Sequence, residues 1–210
     1  SFIIFYFNIC LFIIINTYFC VMKKIAVFAS GNGTNAENIC NYFINNKDVS
    51  VVLLATNKKT SFVVKRIKKF NVPVFYFTKE ELNNTSVVQK KLLECSVDLI
   101  ILSGFLLKIP KNIISLFPNK IINIHPSLLP KFGGKGMYGE NVCKSVIDAK
   151  EFQSGITIHY VNNNYDEGNI IFQEKFTLPK NETLEGLLEK IKVLELRFFP
   201  IVIEKVINSL

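Results

Sequence analysis

From residue 22 onward, apolar positions fall in short runs separated by longer amphipathic stretches. Residues 23–29 (KKIAVFA), 49–55, 72–77 and 97–102 (VDLIIL) are nearly continuous apolar segments rich in branched side chains. Such runs predict strands covered on both faces. Between them, residues 36–46, 61–70 and 79–95 read as helices. Alternation of this kind predicts a doubly wound, mostly parallel α/β sheet with helices on both faces. A further apolar run, Ile121-Ile122-Asn123-Ile124-His125, leads into Pro126-Ser127-Leu128-Leu129-Pro130. Proline cannot donate to a ladder, so this strand ends near His125, at the sheet edge. Past a helix at 140–149, residues 155–161 (GITIHYV) alternate in the strand period, turn through 162–168 and return over 169–176. That hairpin-like unit makes the sheet mixed in its C-terminal half. A closing helix over 182–210 has Thr183 or Asn181 as its cap and Pro200 as a break or kink.

Composition changes this picture in one place. The chain has 210 residues, 49% of them hydrophobic, and residues 1–21 carry no charge at all. Three readings of that leader compete: a membrane anchor, a signal segment, or translated sequence upstream of Met22 that is no part of the native protein. The last is favoured, because the chain begins with Ser, and Met22 is its first methionine. The functional domain is therefore expected to be 22–210, cytoplasmic and not held at a membrane. The formal charge of +8 lies entirely downstream of the leader. Its lysines alternate with apolar positions in helical stretches, which reads as a solvated face rather than a nucleic-acid patch. A modest positive field also suits an anionic substrate. Outside the leader, Cys40, Cys95 and Cys143 lack CxxC spacing, which suggests neither a disulfide framework nor a metal site.

The candidate chemistry centres on Asn123 and His125. Two apart in a strand, their side chains leave the same face, where an amide donor and an imidazole can converge on a developing oxyanion. The plainer alternative is a hydrogen-bonded histidine at a strand end. After the first strand, Ser30-Gly31-Asn32-Gly33-Thr34-Asn35 runs into a helix, so backbone N–H groups and the helix dipole favour an anion there. The second strand ends in Thr56-Asn57 without the acidic residue a dinucleotide ribose requires, so a monophosphate at Gly33, Thr34 and Asn35 fits better. A tight turn with no ligand is the alternative. Leu106, Leu107 and Ile109, after the fourth strand, either wall a pocket for a flat ligand or pack as a loop. Glycine-rich residues 131–139 read as a mobile binding loop.

Taken in order, SGNGTN, LSGFLLKIP, NIHPSLLPKFGGKG, SGITIHYV and YDEGNIIFQ resemble the folate-dependent phosphoribosylglycinamide formyltransferase family over essentially all of 22–210. The resemblance implies the formyltransferase fold, Rossmann-like in its N-terminal half. It implies formyl transfer from 10-formyltetrahydrofolate to glycinamide ribonucleotide in purine biosynthesis. No metal and no nucleic-acid partner are implied, and the chain is expected to be a monomer or homodimer. By this resemblance Asn123, His125 and Asp166 are catalytic, with Asp166 raising the pKa of a protonated His125, and His159 is a helper behind them. Gly33, Thr34, Asn35, Ala36, Glu37 and Glu195 bind the nucleotide, while Leu106, Leu107, Lys108, Ile109 and Asn123 meet the folate. Leu107 stands where the family commonly has arginine, residues 83–85 hold no basic equivalent, and Leu196 replaces a frequent histidine. These departures imply altered folate affinity. A formyltetrahydrofolate deformylase or a tRNA formyltransferase relative is the enzymatic alternative, and a membrane-anchored binding protein the non-enzymatic one.

Overall fold

A computed structural model describes residues 22–210. The leader expectation concerns residues outside this range. The elements alternate as β1 (Lys23–Phe28), α1 (Thr34–Phe43), β2 (Val49–Thr56), α2 (Phe62–Ile67), a 3-10 turn (Lys68–Phe70), β3 (Val74–Tyr76), α3 (Lys79–Asn84), α4 (Val87–Glu94) and β4 (Leu99–Leu102). They continue as α5 (Lys111–Leu116), β5 (Ile121–His125), α6 (Glu140–Asp148), β6 (Gln153–Tyr160), β7 (Ile170–Thr177) and α7 (Leu184–Asn208). The seven strands form one sheet in the order β3-β2-β1-β4-β5-β6-β7. Strands β1 to β5 pair in parallel, while β6 runs antiparallel to both β5 and β7.

The apolar runs are continuous because successive side chains enter two different cores. Ile25 and Val27 pack on one face of β1, and Ala26 and Phe28 on the other. Leu99 and Ile101 are likewise separated from Ile100 and Leu102. The first core is covered by α1, α2, α6 and α7 through residues such as Ile39, Val63, Val146 and Phe199. The second is covered by α3, α4 and α5 through Leu82, Val88, Leu92 and Ile113. Helices on both faces are thus a direct consequence of strands with no polar side.

Three local expectations are adjusted. The helix expected over 79–95 is two helices, because Thr85 adopts extended backbone and its hydroxyl donates back to Glu81 O. Helix α5 was not anticipated; it begins directly after Pro110, which occupies its N-cap. Helix α7 runs through Pro200 without a break, and Thr183 caps its start by accepting from Gly186 N–H. Among the described residues, no helix is long and apolar enough to cross a membrane.

Candidate active site

Strand β5 is where the sheet changes from parallel to antiparallel pairing, with β4 parallel on one side and β6 antiparallel on the other. Its register sets Asn123 opposite His159 and His125 opposite Thr157. His159 donates from Nδ1 to the Tyr160 carbonyl at 2.8 Å, so its Nε2 accepts from Asn123 Nδ2 at 3.1 Å. This bond directs the Asn123 amide as a donor and leaves its second N–H uncommitted. His125 Nε2 lies 2.8 Å from the Phe132 carbonyl, an acceptor, and so carries the proton there. Its Nδ1 lies 3.6 Å from Asp166 Oδ2, too far for a hydrogen bond.

Asp166 arrives from the loop between β6 and β7 with left-handed backbone, φ +56°. Gly168, two residues on, fits only as glycine: a Cβ there would stand 1.7 Å from Tyr160 O. The Asp166 carboxylate accepts from Gly134 N–H at 2.9 Å and lies 3.6 Å from Nε2 of His159. Burial pushes its pKa up, but the His159 contact, the Gly134 hydrogen bond and the charge His125 carries in acid, where the carboxyl titrates, together bring it below the usual carboxylate range. Asp166 is therefore ionised. His125 moves the other way from expectation. Burial lowers its pKa, and this outweighs the upward push of Asp166 and of the Phe132 hydrogen bond. The imidazole of the free protein is thus neutral at pH 7, with an unprotonated Nδ1 beside a carboxylate. Such a group can accept a proton and then hold it as an imidazolium.

These residues line one cleft of about 780 Å³. One wall is the loop after β4, where Leu106 and Leu107 face the cleft and Lys108 places its ammonium 5.2 Å from the centre of the Tyr165 ring. Ile109, itself buried, also lines the cleft. At the other end Asn35 Nδ2 donates to Glu195 Oε2 at 2.8 Å, with Lys192 one turn earlier on α7 also lining the cleft. Burial pushes Glu195 up to about 7, against the Asn35 hydrogen bond. Cys143 lines the cleft too, but burial pushes its thiol up to about 11, so it remains a thiol.

The structure therefore brings Asn123, His125, His159 and Asp166 together, and joins Asn35 to Glu195. Gly33, Thr34, Ala36 and Glu37 stand beside the cleft rather than along its wall. Gly33 caps α1 with φ +80°, and a Cβ on it would fall 2.5 Å from Val63. Ala36 is wholly buried in the core. Glu37 is held by Lys69 at 2.6 Å and by Arg66, and these cations keep its carboxyl below the usual range. Lys192, Tyr165, Thr157 and Gln173 escaped the sequence reading. For Lys192 a signal existed, since it precedes Glu195 by three residues and shares its helix face.

An amide and an imidazole on β5, a carboxylate brought beside them by the loop after β6, and one cleft joining them suit a formyl transferase. The chain belongs to that family, whose formyl transferase model matches residues 23–203. It is 40% identical over 177 residues to the chloroplastic phosphoribosylglycinamide formyltransferase of Arabidopsis thaliana, covering 80% of this chain and 60% of that one. Phosphoribosylglycinamide formyltransferase of Bacillus subtilis is 37% identical over 192 residues, 89% of this chain and 96% of its own length. The crystal structure of the Bacillus halodurans phosphoribosylglycinamide formyltransferase superposes with a TM-score of 0.79 at 34% identity, over 88% of this chain and 95% of that one. Within the family, the chain thus falls among the phosphoribosylglycinamide formyltransferases.

Proposed function

We propose that residues 22–210 transfer the formyl group of 10-formyltetrahydrofolate to the amine of glycinamide ribonucleotide, releasing formylglycinamide ribonucleotide and tetrahydrofolate. The observation that carries this reading is a single cleft with unlike ends around one proton-transfer centre. The apolar Leu106 and Leu107 wall suits the flat pterin. The cationic Lys192 and Asn35 on the cleft wall suit the phosphate, with the start of α1 at Gly33 and Thr34 beside them supplying the positive end of the helix dipole. Glu195 suits the ribose or the glycinamide amine.

In the reaction, the amine nitrogen attacks the formyl carbon and charge develops on the formyl oxygen. The free N–H of Asn123 donates to that oxygen. His125 Nδ1 takes the proton the amine gives up, and Asp166 stabilises the imidazolium. As the bond from the formyl carbon to N10 of the folate breaks, that proton passes to the departing nitrogen. His159 holds the Asn123 amide in its donor orientation. The reaction fits a cytoplasmic enzyme with small-molecule partners, acting as a monomer or homodimer, with no nucleic acid.

The test is formyl transfer followed through the absorbance of deformylated folate, with and without glycinamide ribonucleotide, beside a His125→Ala variant. A signal that needs the nucleotide and collapses in the variant is expected. A signal independent of nucleotide would point to a deformylase.

A further inference from the structure

Residues 126–130 carry a proline at each end, so this turn has few N–H groups with which to hold itself. Its backbone is instead gripped by two side chains from the neighbouring hairpin. Thr157, wholly buried and paired across the ladder with His125, donates its hydroxyl proton to Ser127 O at 2.7 Å. The same oxygen accepts from Leu129 N–H at 3.0 Å and from Gln173 Nε2 at 2.8 Å. Gln173 Nε2 also lies 3.0 Å from Leu129 O. The hydroxyl is therefore saturated, with one proton given and two accepted, and Leu129 is held by both its N–H and its carbonyl.

The grip extends to the imidazole. Ser127 Oγ donates to Lys131 O at 2.8 Å, and the next residue, Phe132, has left-handed backbone at φ +56°. An aromatic side chain rarely takes that conformation unless its surroundings impose it. In that conformation Phe132 presents its carbonyl to His125 Nε2. Fixing Nε2 as the protonated nitrogen is what leaves Nδ1 free beside Asp166.

We infer that Gln173 and Thr157 are positioning residues, a bracket that sets the tautomer of His125 by holding the 126–132 turn and hence the Phe132 carbonyl. Gln173 lies on a strand whose YDEGNIIFQ motif carried the family resemblance, yet it has no place in the transfer chemistry itself. The inference rests on reading His125 as the proton-transfer group, and its test has a readout separate from activity.

Gln173 is exposed on β7, so Gln173→Leu removes one arm without emptying a core. Thr157→Val removes the hydroxyl at nearly constant volume, and Thr157→Ser restores it. In both disruptive variants kcat falls by roughly ten- to a hundredfold, while KM for either substrate stays within about threefold, because no substrate contact is lost. Loss of the Phe132 acceptor withdraws a hydrogen bond that favours the imidazolium, so the His125 limb of the pH profile moves to lower pH. The 15N shifts of the His125 ring show the Nδ1–H tautomer appearing at neutral pH, and Thr157→Ser returns rate, limb and shifts toward the parent. Folded variants with unchanged 15N shifts and pH limb would overturn the bracket, as would a Thr157→Val defect that serine does not relieve. Should His125→Ala retain full transfer, the functional reading fails instead, and the 15N shifts in Gln173→Leu still decide the bracket.

Discussion

Replacing Asp166 by Asn keeps its shape and its acceptor for Gly134 N–H but removes its charge. The imidazolium that forms on His125 would then lie 3.6 Å from a neutral amide. At that separation, and at an effective dielectric of about 20, two unit charges attract by roughly 4 to 5 kcal/mol. The amide dipole and rearranged water recover part of this, so the expected loss is about 3 to 4 kcal/mol, on the order of 10² to 10³ in kcat/KM. In the proposed mechanism the neutral imidazole is the active form, so the rate should rise with pH through the His125 pKa and then level. That pKa is already below its ordinary value, with burial opposing the carboxylate. Removing the carboxylate lowers it further, so the acid limb moves to lower pH as the plateau falls. The assay is kcat/KM for formyl transfer, measured from pH 5 to 8.5 in the parent and the variant. A loss of less than tenfold, or an acid limb that moves up in pH, would refute the assignment of Asp166 as the charge partner of His125.

Gly168→Ala forces a Cβ against the Tyr160 carbonyl, which is backbone and cannot swing aside; urea unfolding should show a loss on the order of 3 kcal/mol. Glu195, pushed up to about 7 by burial, gains its charge as pH rises through neutrality. Nucleotide affinity measured by calorimetry should therefore rise across that interval, and Glu195→Gln should abolish the dependence. Arg66 donates from Nε to Asn32 O at 3.0 Å and pairs with Glu37, tying α2 to the turn before α1. Arg66→Met should raise KM for the nucleotide by roughly five- to tenfold with kcat nearly unchanged; an unchanged KM would dissociate this contact from nucleotide binding.

What was legible in the chain was whatever repeats along it. Alternate residues of β1 and β4 enter opposite cores, so their apolar runs announce buried strands and, with them, the layered fold. Asn123 and His125 share a strand face, so their convergence could be read from spacing alone. The bracket could not: Thr157 meets the turn only because β6 pairs antiparallel with β5, and Gln173 only through the next register. Nor does the positive φ of Phe132 leave a trace in residue type, since an aromatic residue seldom adopts it. The direction of the His125 shift depends on how completely the ring is enclosed. Charge partners can be guessed from a motif, but enclosure is a property of the finished fold. Helix α5 was missed for a simpler reason, being six residues long and without an amphipathic period to detect.

The hydrogen bond between Asn35 and Glu195 joins residues 160 apart, and beside it Asn38 reaches Leu196 O and Tyr42 reaches Glu204 across similar spans. Helices α1 and α7 thus form a seam between the two ends of the folded domain, and the end of the cleft proposed for the nucleotide lies on it. A ligand seated there works as a fastener for the fold. It favours the closed seam by mass action, about 2.7 kcal/mol at a hundred times its Kd. The nucleotide should thus protect α7 from proteolysis, whereas a folate bound against the loop after β4 leaves the seam as it was.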